Sequence, residues 1–293
     1  MNASGTRMDG KIVMVTGATS GIGKITAEEL ARMGATVVAV GRDPARSEEA
    51  IRDIKAKSGS QNVHLLLADF ASQRSIRKLA EDFKARWDKL HVLVNNAGVT
   101  VTRRALTEDG LETTFAVNHL GYFLLTNLLL DVLKASAPAR IVNVSSAAHS
   151  QGRVNFEDLQ GEKKWGALGS YSNSKLANIL FTYELARRLE GTGVTANCLH
   201  PGVIPGTALA REMPKALVKV AEVLGKIFFF VISVEEGART QIYLASSPEV
   251  AGVTGKYFIK SAEARSSKAS RDTAAAARLW EVSEELTGLT AKA

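Results

Sequence analysis

The chain of 293 residues contains one cysteine, Cys198, so no intramolecular disulfide can form and nothing in its thiol content argues for an oxidising compartment. It also lacks long apolar runs. The longest, IFFFVISV from Ile227 to Val234, falls far short of the roughly 18 residues expected of a membrane-spanning helix. The opening MNASGTRMDGK has no apolar stretch of the kind a secretory signal requires, and residues 1–9 are expected to be flexible. The five histidines are scattered without metal-ligand spacing, so no metal is implied. A net charge of +7 is not gathered into a stripe: in RDPARSEEAIRDIKAK acids stand between the bases. That pattern describes solvated helix faces and argues against nucleic-acid binding, leaving a weaker pull toward anionic ligands or lipid. The expected location is cytoplasmic or peripheral to a membrane.

What is present is a regular alternation. KIVMVTG, ATVVAVG, NVHLLLADF, KLHVLVNNAG, ARIVNVSS and VTANCLHPG read as buried strands, with helical stretches such as GKITAEELARMG, PARSEEAIRDIKAKSG and SQRSIRKLAEDFKARW between them. Continuous apolar strands separated by helices predict an α/β fold, a Rossmann-type doubly wound parallel sheet of about seven strands with helices on both faces. GKYFI supplies the last strand and DTAAAARLWEVSEELTGL a terminal helix. No repeat, linker or low-complexity segment divides residues 1–293, so one domain is expected.

The first strand–turn–helix unit carries TGATSGIG, with Gly17, Gly21 and Gly23. Glycine there permits a tight turn and lets backbone N–H groups approach a pyrophosphate at the helix N-terminus, which points to a dinucleotide. The tip of the second strand, where NAD-binding units carry a carboxylate for the ribose 2′-hydroxyl, reads Gly41–Arg42. A guanidinium suits a 2′-phosphate instead. Asp43 reads as the N-cap of the helix that begins at Pro44. NADP(H) is therefore the expected cofactor.

A second constellation is YSNSK. Tyr171 and Lys175 stand one helical turn apart and share a face. A phenol near pKa 10 exchanges protons poorly at neutral pH, and a nearby ammonium should lower that pKa toward the range of a general acid–base. Taken alone, such a pair is usually only a surface contact. Ser145 and Ser146 end the fifth strand and should point to opposite sides. His149 and His200 would suit a serine hydrolase, but no G-x-S-x-G elbow accompanies them.

In this order the motifs resemble the short-chain dehydrogenase/reductase family over nearly the whole chain. TGATSGIG is similar to its T-G-x-x-x-G-x-G, NNAG (Asn95 to Gly98) to its fourth-strand motif, and YSNSK to its Y-x-x-x-K. IVNVSS and HPG fall where the family has its catalytic serine and a Pro-Gly after the sixth strand. NHLGYFLLTNLLL, YSNSKLANILFTYELARRL and LWEVSEELTGL look most like the retinol dehydrogenase branch. The resemblance implies NADP(H)-dependent hydride transfer to or from a lipophilic aldehyde, ketone or alcohol of the retinal/retinol type. A non-catalytic NADP-binding scaffold and a light-dependent pigment reductase are the alternatives on this fold.

The resemblance also assigns roles. Tyr171 would exchange the proton, Ser146 hold the substrate oxygen, Lys175 bind the nicotinamide ribose, and Asn118 support Lys175 and a relay water. Gly17, Thr19, Ser20, Gly21, Ile22 and Gly23 would cradle the pyrophosphate, with Arg42 beside the adenosine ribose. Asp69 would meet the adenine, and Asn95, Ala97 and Gly98 the adenosine ribose. Pro201, Gly202 and Val203 would meet the nicotinamide end. Asn118 could instead cap the helix HLGYFLL, and Asp69 the helix near Ser72. Family members often form dimers or tetramers through their long helices, so a homo-oligomer is implied.

Two departures stand out. PGVIPGT has one extra residue before Thr207, which leaves the family's threonine contact open. SQGRVNFEDLQGEKKWGALG lengthens the interval from Ser146 to Tyr171, either lining the substrate entrance or forming an inert surface excursion. Residues 207–234 are expected to form a substrate lid. Lys215, Lys219 and Lys226 on an apolar helical pattern suit a lipophilic substrate or a peripheral membrane contact. Phe228, Phe229 and Phe230 would otherwise pack in the core or between subunits.

Overall fold

The computed structural model describes residues 6–204 and 232–289. Its first strand shows why the strand sequences are apolar throughout. In β1 (Ile12–Thr16) every residue from Val13 onward is buried. Met14 joins Val38, Leu66 and Leu93 in one core, whereas Val13 and Val15 join Val37, Val92 and Val94 in another. Covered on both faces, such a strand has no solvent side to mark with polar residues.

Around β1 stand α1 (Gly21–Arg32), β2 (Thr36–Gly41), α2 (Pro44–Ser58), β3 (Val63–Leu67), α3 (Gln73–Lys84) and β4 (Val92–Asn95). A single turn α4 (Thr113–Phe115) runs into a π-turn (Ala116–Leu120), then α5 (Gly121–Leu128) and α6 (Leu130–Ala135). β5 (Ala139–Val144), the long α7 (Ala167–Arg188), β6 (Val194–His200), α8 (Val234–Ser246), β7 (Tyr257–Ile259), β8 (Ala262–Ala264) and α9 (Thr273–Thr287) complete the chain. The sheet order is β3-β2-β1-β4-β5-β6-β7-β8. It reverses between β1 and β4, and the crevice beyond the C-terminal ends of strands at such a reversal is where this architecture binds ligands.

The sheet has eight strands rather than about seven. β8 runs antiparallel to β7 through a turn at Lys260 and Ser261, both with positive φ (51° and 60°). Such turns favour Asn or Gly, and neither is present to mark it in the sequence. Within the segment expected to be flexible, Met8 is buried and its N–H bonds Met33 O at 2.8 Å. The terminal helix α9 lies along α7, with the Trp280 ring 4.9 Å from Phe123 and 5.8 Å from Phe181. One face of α7 is thus covered by the chain's own last helix. Among the described residues no helix is long and apolar enough to cross a membrane.

Candidate active site

Gly17 and Gly21 hold φ of +66° and +55°, a region that strains any residue with a Cβ. Gly23 is required for another reason: a Cβ there would collide with Asn96 Nδ2 and Gly17 O. Space over Gly21 is open, with nothing within 4 Å of where a Cβ would stand. The α1 N-cap, Ser20, makes no side-chain cap bond, whereas α2, α3 and α9 are capped by Asp43, Ser72 and Asp272. Free N–H groups and the positive end of the helix dipole therefore face the crevice, which suits a pyrophosphate. Thr19 packs by its methyl against Gly41, where a Cβ would strike it and Ser47. Ile22 contributes its carbonyl to Thr26 at 2.8 Å.

Arg42 is exposed at the tip of β2, with no hydrogen bond or ion pair among the described residues. Asp43 caps α2 by accepting from Arg46 N at 2.9 Å, as its sequence position suggested. Asp69 accepts from Ala71 N at 2.9 Å, and the cap of α3 is Ser72. Asp69 is therefore half-buried beyond β3 without being a helix cap.

The loop after β4 divides the residues expected there. Asn95 is fully buried, and its amide donates to Thr126 Oγ1 and Asn143 Oδ1 at 2.9 and 2.8 Å. Its side chain belongs to the core, because strand alternation turns it inward. The neighbouring Asn96, which the sequence reading passed over, does the work at the turn. Its Nδ2 donates to Thr16 O at 2.8 Å, while Thr16 Oγ1 accepts from the N–H of Asn96 and Ala97 at 2.8 and 3.0 Å. Gln241 closes the network on Asn96 Oδ1 at 3.2 Å. The second asparagine of NNAG was the available signal.

Asn118 sits in the π-turn, not at a helix start. Such turns recur at functional sites. Its side chain bonds both backbone groups of Val99 (Oδ1 from N–H at 2.8 Å, Nδ2 to O at 2.9 Å) and donates to Ser174 Oγ at 3.0 Å. Those bonds fix the Asn118 side chain against Val99 and Ser174. Asn118 and Lys175 converge on Gly98, where a Cβ would lie 3.3 Å from Asn118 Oδ1 and 3.6 Å from Lys175 Nζ.

Lys175 is buried and donates to Val144 O at 3.2 Å, its one hydrogen bond among the described residues. Its ammonium stands 5.6 Å from the centroid of Tyr171 and 5.9 Å from that of Tyr122. Burial pushes Lys175 down to about 8. Ser146 lies on the Tyr171 side and favours its phenolate, whereas Ser145 donates to Lys175 O at 2.7 Å. The two serines diverge as alternation requires. Burial raises the Tyr171 phenol above its usual value, partly offset by Ser146. The shift is thus opposite to the lowering expected from Lys175: desolvation of the phenolate is its largest cause, and Ser146 rather than Lys175 opposes it.

His149 and His200 take structural places. His149 Nδ1 lies 2.6 Å from Ser146 O, and its Nε2 accepts from Ser267 N at 3.1 Å. Burial pushes His149 down and takes His200 to about 4, so both are neutral. Gly202 has φ +104°, and Val203 O accepts from Ile232 N at 3.0 Å. Pro201 begins this loop at the end of β6. Thr207, Lys215, Lys219, Lys226, Phe228, Phe229 and Phe230 lie outside the described residues. A cavity of about 840 Å³ lies elsewhere: it opens between Arg140, Arg187 and Gly193 at the opposite ends of the strands and contains none of the expected site residues.

A crevice at a strand-order reversal, with uncapped amides on one side and the half-buried Ser146 near the buried Tyr171 and Lys175 on the other, defines a dinucleotide-dependent oxidoreductase. The chain belongs to the short chain dehydrogenase family, whose model matches residues 11–217. It is retinol dehydrogenase-like within that family. Human (Homo sapiens) retinol dehydrogenase 14 is 47% identical, covering 96% of this chain and 88% of its own. Mus musculus retinol dehydrogenase 12 is 45% identical over 97% and 88%. Among solved structures, an uncharacterized protein from Mycobacterium paratuberculosis is 34% identical with TM-score 0.79, covering 98% of this chain and 97% of that one. The Pseudomonas aeruginosa RhlG/NADP active-site complex is 26% identical with TM-score 0.71, covering 86% and 95%.

Proposed function

We propose that this chain is a single-domain NADP(H)-dependent oxidoreductase that interconverts a lipophilic aldehyde or ketone and its alcohol, of the retinal/retinol type. The observation that carries the reading is the buried Lys175 ammonium 5.6 Å from the centroid of the buried Tyr171 ring. The residues present fit the dinucleotide: open space over Gly21, free first-turn amides of α1, an unpaired Arg42, and a buried ammonium with donors to spare. Gly17, Thr19, Ser20, Gly21, Ile22 and Gly23 would hold its pyrophosphate, Arg42 its 2′-phosphate, and Asp69 its adenine. The backbone at Ala97 and Gly98 would border the adenosine ribose, and Pro201, Gly202 and Val203 the nicotinamide. The bound cofactor supplies or accepts the hydride.

The remaining work falls to the chain. In reduction Ser146 donates a hydrogen bond to the carbonyl oxygen and Tyr171 gives it a proton. Lys175 stabilises the phenolate that remains and directs its spare N–H groups to the ribose hydroxyls. Burial keeps Tyr171 protonated at neutral pH, as an acid in the reductive direction must be. Asn118 fixes Val99, and with it the Gly98 backbone against Lys175. The lipophilic substrate class is supported by the retinol dehydrogenase relatives. A lid at residues 207–234 and its peripheral contact with a membrane rest on sequence.

The test is turnover of purified protein with NADPH and NADH against retinal, steroids and short ketones. NADPH oxidation with retinal is the expected result. Activity unchanged in Tyr171→Phe would overturn the catalytic assignment.

A further inference from the structure

Glu112 is a buried carboxylate, 1% exposed, and no Lys, Arg or His pairs with it among the described residues. Its oxygens are met by neutral donors from three different segments. Phe115 N donates to Oε2 at 2.8 Å, Ser170 Oγ to Oε2 at 2.9 Å, and Trp165 Nε1 to Oε1 at 3.2 Å. Glu112 N donates in turn to Gln160 Oε1 at 2.7 Å. A carboxylate held in the dry interior by neutral groups is costly unless its acceptor capacity is filled, so these contacts are tightly specified.

The donors' places in the fold give the contacts meaning. Phe115 opens the turn that carries Asn118. Ser170 immediately precedes Tyr171 on α7. Trp165 and Gln160 belong to the excursion between Ser146 and Tyr171, which the sequence left as either a substrate wall or an inert loop. That excursion is firmly packed: Val154 and Phe156 lie against the cluster containing Phe115 and Leu176. Leu168, 66% exposed, lies in the first turn of α7, three residues after Trp165 in the chain and one helical turn before Tyr171. Three residues apart on a helix share a face, so an exposed apolar side chain stands beside Tyr171 at the mouth of the site.

We propose that Glu112 is a two-armed positioning residue. Through Oε2 and Ser170 it sets the Tyr171 hydroxyl; through Oε1 and Trp165 it sets the excursion and Leu168 as an apolar wall for a lipophilic substrate. The substrate half of this inference rests on the proposed carbonyl reduction.

The two arms separate experimentally in the full chain. Ser170→Ala should lower kcat about tenfold with KM nearly unchanged, because it misplaces only the proton donor. Trp165→Phe should raise KM about fivefold for retinal, and less for a short aldehyde, with kcat within about twofold of wild type. Glu112→Gln, which turns one acceptor into a donor, should show both effects. If it does not fold, the two single variants carry the test. Hydrogen exchange on the substrate-free protein reads the clamp without turnover. Exchange should quicken at residues 167–171 in Ser170→Ala and at 160–165 in Trp165→Phe. Wild-type exchange in both variants would overturn the proposal, as would a lowered Tm with kcat and KM at wild-type values. If wild-type protein reduces no carbonyl while exchange splits as described, the functional reading fails and the clamp stands.

Discussion

Helix α7 takes part in two buried polar clusters that differ in how far their donors are met. Toward its middle, Thr182 accepts from Asn143, which accepts from Asn95, and Thr182 donates to Asn178 O at 2.6 Å. Nearer its start, Lys175 brings three N–H donors to a site where one carbonyl, Val144 O, receives it, and Asn178 Nδ2 shares that oxygen at 3.2 Å. The ladder spends its donors inside the protein and locks β4, β5 and α7 together. The Tyr171–Lys175 cluster keeps donors unspent, which destabilises the folded state and leaves them for a ligand. Buried polarity marks both regions; unmet donors mark the one proposed to do the chemistry.

Substitutions on each side should fail in opposite ways. The largest effect is expected at Tyr171, where phenylalanine removes the proton donor and should cut kcat/KM about 10³-fold while the fold is preserved. In the ladder, Asn143→Ala should leave the pH profile and KM intact but cost about 2 kcal/mol of stability in denaturant unfolding. Loss of activity without loss of stability there would erase the distinction.

Smaller effects sharpen it further. Arg42→Ala should weaken NADPH binding about tenfold, with NADH nearly unaffected, in a fluorescence titration. Equal loss for both cofactors would remove the 2′-phosphate assignment. Lys175 is an ammonium below its value of about 8 and an amine above it. Since reduction uses the cation, kcat/KM for reduction should fall as pH rises through about 8. The same group binds a proton more readily unfolded than folded between about 8 and 10, so the destabilisation it causes should fade across that range. Wild type should therefore gain stability relative to Lys175→Met as pH rises.

The parts of the site legible in the sequence were those set by local spacing. The glycine turn, the Tyr171–Lys175 face and the Asp43 cap each follow from a few consecutive residues. The inward turn of Asn95, the π-turn around Asn118 and the glycine-free turn into β8 depend on neighbours distant in sequence. Glu112 illustrates the same limit: a Glu beside a Leu in a polar stretch reads as surface, and only the meeting of Phe115, Trp165 and Ser170 buries it. The net effect of burial on Tyr171 was likewise beyond a spacing rule, which supplies the ammonium but not the dry environment around it.

The contrast between spent and unspent donors is tested most directly by measuring Tm and the single-turnover rate of Lys175→Met with NADPH and retinal. Replacing a buried, under-partnered cation by an apolar side chain of similar length should stabilise the fold by about 1–3 kcal/mol and slow the reaction at least about 10²-fold. A variant that melts lower than wild type and reacts at the wild-type rate would contradict it.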